Sequence, residues 1–264
     1  MLTATNCKDD SMKFRFRTIL QLAIPAVITS LSISWAAEIA KKQSSAFPSG
    51  KTKEEWTEVP DSTGALQRHG LYFAYYESGA KEIAGQYIFG AKNGKWLTYF
   101  ESGQVKDSTW WIKGEKQGEY LEYFAEGKVA TKGSYRNDKP DSYWETFYPN
   151  GNRLRVWSYK NGQLAGYDTE FYPNTKIKSE GGYLEGLKNG RWRFYYENGR
   201  EQRQAIYRNG IEDGWFMLWD STGAPQHEGW MSGGIRDSVW KYYDVAGKVI
   251  KEEIYRRGKL AEKK

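Results

Sequence analysis

The sequence contains very little cysteine or histidine. Cys7, His69 and His227 are the only such residues among 264. A single cysteine cannot close a disulfide within the chain, and three residues are too few for a zinc site built from cysteine and histidine. A cysteine–histidine nucleophilic pair is also disfavoured, because Cys7 lies ahead of the first apolar segment. The composition therefore argues against the commonest metal centres and against thiol catalysis.

Runs of one charge are also absent. Lys and Arg number 39 against 33 Asp and Glu, for a net charge of +6, and the two signs are interleaved along the chain. No basic run resembles a nucleic-acid-binding arm, and no glycine-rich phosphate loop, metal cluster or nucleophile motif occurs. We predict no enzyme activity, no catalytic residues, no cofactor, no metal and no nucleic-acid partner. The positive balance is interpreted as solubilising surface, with an anionic partner as the alternative.

Long apolar runs are limited to one, from Ile19 to about Ile33. Three cations precede it at 13, 15 and 17, and Ser34-Trp-Ala36 follows it as a small-x-small cleavage signal. Residues 1–37 are therefore predicted to be a signal peptide or an N-terminal anchor, with Met12 as a possible true start. The prediction is export to the periplasm or cell surface; the alternative is an inner-membrane anchor formed by residues 18–37.

The segments around the main body are short and polar. Residues 38–60 contain Ser, Pro and Gly without a sustained period and are predicted to be a linker. Residues 61–69 begin with DSTGA, which recurs at 220–224, and are predicted to be a truncated capping hairpin. Residues 262–264 are predicted to be a charged tail that protects the end of the array.

Aromatic residues and glycine are abundant, with 20 Tyr, 12 Trp, 11 Phe and 28 Gly. They recur with a period of 24 residues over 70–261. Eight units follow one another without insertion, beginning at Gly70, Gly94, Gly118, Ser142, Gly166, Gly190, Gly214 and Ser238. Within each unit, position 6 is always aromatic; positions 3 and 18 are aromatic in seven units, and positions 10 and 21 are glycine in seven.

Each unit has the pattern of a β-hairpin. Positions 2–7 alternate and are rich in aromatics, and then ESG, PNG, ENG or STG supplies a tight turn. A second strand at positions 11–18 ends in a second glycine turn. Because one hairpin is not stable alone, the hairpins must stack. The predicted fold is all-β: an elongated, twisted array of about eight stacked hairpins in one meandering sheet, preceded by an N-terminal apolar helix or signal segment.

Two groups of residues are candidate binding sites. The first is the aromatic row at position 3, which could line an open surface, although the simplest interpretation of such a row is core packing. Its members are Tyr72, Trp96, Tyr120, Trp144, Trp192, Phe216 and Trp240. The second is a notch in the fifth unit, where Asp168 replaces an aromatic residue and Thr175 replaces a turn glycine. The alternative interpretation of that unit is a drifted repeat.

The pattern Gly-x-Trp-x-x-Tyr-Tyr-x-x-Gly, followed by Tyr-x-x-Gly-x-x-x-Gly, resembles MORN repeats of the shorter bacterial variant. The phrases YKNGQLAGYDTEFYP at 159–173 and YRNGIEDGWFMLWDSTG at 207–223 carry the resemblance. It implies a YwqK-like protein of the kind labelled antitoxin, or contacts with proteins or lipids. No catalytic residue comes with the motif.

These observations favour a non-catalytic repeat scaffold of the bacterial cell envelope that engages a protein partner through an extended β face. Two alternatives remain open. One is an antitoxin or immunity-type protein that sequesters a toxin, and the other is a binder of anionic lipid or polysaccharide. Binding driven by charge would weaken as salt rises, which separates the last alternative from the others.

Overall fold

The structure, a computed structural model, describes residues 40–264, which form one of two compact units of the chain. The predicted signal peptide or anchor, the alternative start at Met12 and the N-terminal apolar helix lie outside the described residues. Within 40–264 the chain is all-β and contains no helix.

Twenty strands form a single open antiparallel sheet. They are β1 Lys41–Ala46, β2 Thr52–Pro60, β3 Leu66–Tyr75, β4 Lys81–Ile88, β5 Ala91–Tyr99, β6 Val105–Ile112, β7 Glu115–Tyr123, β8 Val129–Arg136, β9 Lys139–Phe147, β10 Arg153–Lys160, β11 Gln163–Leu164, β12 Gly166–Phe171, β13 Ile177–Leu184, β14 Leu187–Tyr195, β15 Glu201–Arg208, β16 Ile211–Trp219, β17 Pro225–Ser232, β18 Ile235–Tyr243, β19 Val249–Arg256 and β20 Lys259–Lys263. Each strand pairs with its neighbours in the chain except β11 and β12, which Ala165 separates and which both pair with β10. The predicted meander of hairpins is confirmed; the elongation and twist stay predictions.

The 24-residue period is present in the strands themselves. Eight-residue strands begin at 81, 105, 129, 153, 177, 201, 225 and 249. Nine-residue strands begin at 91, 115, 139, 187, 211 and 235 with the same spacing. Each nine-residue strand starts three residues before the predicted unit boundary. The residue at that boundary, such as Gly190, has a positive φ and forms a bulge, and the strand continues on both sides of it.

The connections between strands lie along two opposite sides of the sheet, where the strands end, and the two sides differ. We name these sides the loop edge and the turn edge. At the loop edge, five-residue loops such as 76–80 form a type I turn closed by a glycine: Gly79 N–H donates to Tyr76 O, and Tyr76 N–H donates to Ala80 O, each at 2.8 Å. At the turn edge, two-residue turns such as 209–210 place both residues at positive φ, which is the type I′ geometry. Both turn types follow from the glycine positions of the repeat.

The array begins earlier than predicted. Residues 41–46 and 52–60 are strands, so the prediction of a linker over 38–60 is wrong for them. The loop 47–51 has the hydrogen bonds of the loop-edge loops, and its Gly50 lies 29 residues before Gly79 instead of 24. The longer spacing arises mainly because the five-residue connection 61–65 replaces a two-residue turn at the turn edge. The truncated hairpin predicted at 61–69 is therefore the tip of a full hairpin.

The far end of the sheet also differs from the prediction. Residues 262–264 were expected to be a charged tail, but Glu262 and Lys263 belong to β20. Lys264 continues the pairing, since its N–H donates to Glu252 O at 2.8 Å. The charges lie on an edge strand, where they oppose pairing with a further strand.

Alternation along the strands separates two faces. Trp192 and Phe194 stack at 6.1 Å on one side, which we name the first face. Arg193 and Tyr195 both contact the Glu180 carboxylate on the other side, the second face. Positions 3 and 6 of the repeat therefore point to opposite sides, as the sequence predicts.

Candidate functional site

The first face is built from tryptophans that lie over glycines. Trp96, Trp144, Trp192 and Trp240 are 2–7% exposed. A Cβ atom added to the glycine beneath each ring, at 85, 133, 181 and 229, would come within 2.2–2.4 Å of it. The tryptophans occupy position 3 of the even units and the glycines position 16 of the odd units. The true period of this face is thus 48 residues, a signal that the sequence carries.

Tyrosines and cations surround these tryptophans. Trp192 meets Tyr183 edge-on at 5.2 Å, and its indole N–H donates to Gly182 O at 3.0 Å. The Lys188 ammonium lies 4.1 Å from the Trp192 ring centre, where burial and then the nearby Arg203 lower its pKa. Aromatic edges, indole donors and cations thus cover a face that has no second layer packed on it within the described residues.

The predicted aromatic row therefore lies in the first face. Tyr72, Trp96, Trp144, Trp192 and Trp240 are buried, and Tyr120 and Phe216 are half-buried. These rings pack against one another and against tyrosines of adjacent strands, as between Tyr72 and Trp96 at 5.6 Å. Core packing accounts for the row, and a binding role for it stays a prediction.

The fifth unit compensates for both of its departures from the pattern. Asp168 is 4% exposed and accepts a bidentate pair of bonds from Arg155, with Nη2 at 2.5 Å from Oδ2 and Nε at 3.0 Å from Oδ1. The Arg155 guanidinium in turn lies 4.7 Å from the Trp157 ring centre. Thr175 has a φ of 71° and donates its N–H to Tyr172 O at 2.9 Å, as the usual glycine does. Neither residue opens a cleft by itself.

We expect Arg155→Met to destabilise the fold more than Asp168→Asn. The first change leaves a buried carboxylate without its cation, whereas the second leaves an arginine that is one-third exposed. The expected losses in free energy of unfolding are about 2–4 and about 1–2 kcal/mol. Urea denaturation followed by circular dichroism measures both. Equal losses would show that Asp168 does not depend on the arginine.

The loop edge carries a ladder that the sequence analysis missed. The hydroxyls of four position-7 tyrosines donate to main-chain carbonyls one unit further along, at 2.7–2.9 Å. The donors are Tyr76, Tyr148, Tyr172 and Tyr196. Because these bonds join successive units, they hold the spacing of the loops along this edge.

A cluster of titratable side chains lies at the C-terminal end of the first face. Glu253 accepts from the Lys251 ammonium at 2.7 Å and from the Tyr242 hydroxyl at 2.6 Å, which lower its pKa to about 2. His227 lies between Phe216 and Trp240, at 5.8 and 5.9 Å. Burial, and then Arg236, lower its pKa. The carboxylate is therefore ionised and the imidazole neutral at neutral pH.

Several exposed large side chains lie on the second face, near the turn edge. One group spans β13 to β18 and is named here the C-terminal apolar surface; its members are Leu184, Leu187, Ile211, Trp230, Ile235 and Val239, which are 41–55% exposed. Leu187 lies beside Gly210 of the next turn, and Ile211 beside Gly234. The group is therefore continuous across units.

A second group lies in the middle of the same face and is named here the central patch. It consists of Tyr143, Tyr167, Lys139, Lys160 and Arg191. The two tyrosines are 74% and 76% exposed, more than any tyrosine of the first-face row. Both occupy position 2 of the repeat. The sequence analysis passed over position 2 because it is not uniformly aromatic, although alternation places it opposite position 3.

Comparison with known protein families identifies the repeat type. The MORN repeat variant matches at residues 92–108, 116–137, 140–161 and 188–209. These segments carry MORN repeat variants. The three longer matches each cover a hairpin closed by a loop-edge loop, so the family unit coincides with the hairpin of this sheet. Residues 162–187, which include Asp168 and Thr175, lie between the third and fourth matches.

No curated protein matches the chain. The antitoxin label that the resemblance implies therefore stays a prediction, as does the YwqK-like assignment.

Several solved structures show distant likenesses. A porin-like protein from Bacteroides uniformis is 9% identical, with a TM-score of 0.19 and coverage of 85% of this chain and 92% of that one. A protein of unknown function from Bacteroides fragilis is 10% identical, with a TM-score of 0.14 and coverage of 56% and 94%. The TcdB2-TccC3-Cdc42 structure is 12% identical, with a TM-score of 0.17; the match covers 79% of this chain and 15% of that one. TM-scores this low carry no argument about function.

Two further observations concern the described part of the chain. Between residues 40 and 264 there is no helix long and apolar enough to cross a membrane. The same residues hold no cluster of three or more His, Cys, Asp or Glu side chains arranged to bind a metal ion.

Proposed function

We propose that this protein is a non-catalytic repeat scaffold of the bacterial cell envelope that binds a protein partner through the second face of its sheet. The observation that carries the proposal is the C-terminal apolar surface, in which six large side chains are exposed together along four units. Contiguous exposed apolar patches on soluble proteins commonly mark interaction sites.

The composition of this surface suits a protein partner. Trp230 is 47% exposed and pairs across the strands with Trp215, which is half-buried. Tryptophan is enriched among the residues that dominate binding energy, and aliphatic neighbours such as Ile235 and Val239 exclude water around it. The surface therefore has a candidate anchor and a rim.

The backbone beneath the C-terminal apolar surface is already ordered in the free protein. Strands β16 to β19 pair with one another in consecutive antiparallel ladders, and Trp240, which is 2% exposed, packs on the first face behind them. Binding to such a surface costs little ordering entropy, since few segments need to become ordered.

The envelope location and the scaffold role rest on different observations. The basic, apolar and small-residue pattern of residues 12–37 supports export. MORN repeat variants at four segments support a scaffold role. Fractionation of native cells followed by intact mass tests the location: a species cut near Ala36 in the periplasmic fraction would agree with it, and an uncut cytosolic species would contradict it.

Photo-crosslinking tests the partner. A photoreactive amino acid placed at Val239 in the full chain is expected to give one discrete crosslinked protein species in the native cell. Trp230→Ala combined with Ile235→Ser should reduce its yield at least about tenfold, because the anchor and its rim are removed. The identity of the crosslinked species is read by mass spectrometry.

The chain offers a matched control for this experiment. Val245 is 92% exposed but lies in a loop at the opposite edge of the sheet. The same photoreactive residue at 245 should not give that species. An identical crosslink from both positions, or no crosslink from 239, would refute binding through the C-terminal apolar surface.

A further inference from the structure

The central patch has a row of alternating large and small side chains. Tyr143 on β9 lies opposite Ser158 on β10, and Tyr167 on β12 lies opposite Gly182 on β13. Arg191 lies on the same face of β14, two residues beyond Asn189, which is the partner of Gly182. Since neighbouring strands are about 4.8 Å apart, the two phenol rings project from strands about 10 Å apart, and a small residue lies between them. The row therefore presents rings separated by slots.

The slot beyond Tyr167 is a shallow groove. It is lined by Tyr167, Glu180, Gly181, Gly190, Arg191 and Arg193. Because two glycines line it, part of its floor is peptide backbone. Arg193 is held by Glu180 at 3.3 Å and Glu201 at 3.6 Å. The groove thus offers one free guanidinium, one fixed guanidinium and an aromatic wall.

The charge around the row is positive and incompletely neutralised. Lys139, Lys160 and Arg191 form no ion pair with any residue between 40 and 264. Nearby, Lys132 and Arg153 share the single carboxylate of Glu145. An occupant of this patch therefore needs negative charge as well as a surface that can lie against a phenol ring.

We propose that the central patch binds an extended polysaccharide that carries carboxylates. The C–H face of a sugar ring lies flat on an exposed phenol, and a separation of two strands corresponds to one disaccharide of an extended β-1,4-linked chain. Each tyrosine then meets alternate sugars, and the carboxylates reach Lys160 and Arg191 through charge-assisted hydrogen bonds. The site shares no side chain with the C-terminal apolar surface, although both include residues of β14.

Other anionic polymers fit the row less well. An acidic peptide supplies charge but no rings at regular intervals. Single-stranded nucleic acid stacks on aromatics and follows basic grooves, but its successive bases are closer together than these two rings. A stiff polymer with a ring facing the surface at every second residue matches both the spacing and the charge.

Affinity electrophoresis of the full chain tests the proposal. Carboxymethyl cellulose in the gel should retard the protein, and hydroxyethyl cellulose, which has the same β-1,4 backbone without the charge, should retard it at least about fivefold less. Tyr143→Ala and Tyr167→Ala should each weaken binding about fivefold, and the double variant about 25-fold, because well-separated contacts add. Tyr→Phe at both positions should retain binding, since the ring is kept.

Controls separate this site from the protein-binding surface. Leu71→Ala, which changes an exposed side chain in the first unit, and Trp230→Ala should bind carboxymethyl cellulose like the parent chain. Circular dichroism of the tyrosine variants should match the parent, because both side chains are mostly exposed. Loss of glycan binding with an unchanged crosslink from position 239 would identify two separate sites.

Three results would overturn the proposal. The first is no retardation by carboxymethyl cellulose. The second is retardation that the tyrosine-to-alanine changes leave intact and that polyglutamate abolishes by competition, which would mean attraction by charge alone. The third is tighter binding of oligo-deoxythymidine than of the glycan, with the same sensitivity to Tyr143 and Tyr167, which would assign the patch to nucleic acid.

Discussion

Replacing Trp192 by alanine is expected to lower the free energy of unfolding by about 3–5 kcal/mol. The ring is 3% exposed and contacts Tyr183 at 5.2 Å and Phe194 at 6.1 Å. Its indole N–H also donates to Gly182 O at 3.0 Å. Removing it opens a cavity over the glycines of β13 and leaves that carbonyl without its donor. Since one sheet layer has few other contacts, the loss should be near the upper end of the range.

Urea denaturation of the full chain, followed by far-ultraviolet circular dichroism, measures the effect. Trp230→Ala is the matched control, because that tryptophan is 47% exposed on the second face. Its removal should cost less than about 1 kcal/mol. Similar losses for the two variants would mean that the first face is not the core of the sheet.

Replacing Gly181 by valine is expected to be the second most damaging change. A Cβ atom at this position would lie 2.2 Å from the Trp192 ring, and the larger valine cannot be accommodated unless the indole moves. Displacing a buried ring from its rotamer and its hydrogen bond should cost about 3 kcal/mol. The backbone itself tolerates valine, since Gly181 does not have a positive φ.

The two changes should be strongly coupled. With Trp192→Ala already present, Gly181→Val should cost less than about 1 kcal/mol, because the space that the ring occupied is empty, giving a coupling energy of about 2 kcal/mol. Thr109→Val is the control. Thr109 holds the same position in the second unit, and its partner on the next strand is Tyr120 instead of a tryptophan. Additive losses at 181 and 192 would contradict the packing of tryptophan on glycine.

Most of the fold is predictable because it is local. Asn209-Gly210 dictates a two-residue turn, and Glu197-Asn-Gly199 dictates a loop, through the positive φ that these residues accept. Two such signals in every 24 residues define a hairpin, and consecutive hairpins pair with their neighbours without any long-range choice. The start of the array was missed because its connection at 61–65 changes the period, so Gly50 falls out of register with the other loops.

The candidate sites were less predictable than the fold. The aromatic row stands out in the sequence because its residue type recurs from unit to unit, and such repetition reflects the core. Tyr143 and Tyr167 stand at a position where the units differ, with Lys95, Glu119 and Arg191 at equivalent places. The sequence predicts a notch at Asp168 because it does not reveal the partner of that carboxylate. Arg155 lies 13 residues away, and the pairing of β10 with β12 brings the two side chains together.

By itself, the sequence determined the period, the turn types, the alternation of two faces and the order of the strands, since each depends on residues close together in the chain. The repetition of position 3 indicated a core row, but only the tertiary structure decided what each ring of that row packs against. Trp192 and Tyr167 both lie in strands with alternating side chains, and their neighbours in the chain do not show which ring is buried. Trp192 is buried because its ring lies over Gly181 on the neighbouring strand. Tyr167 is paired with Gly182, but its ring does not lie over that glycine and stays exposed.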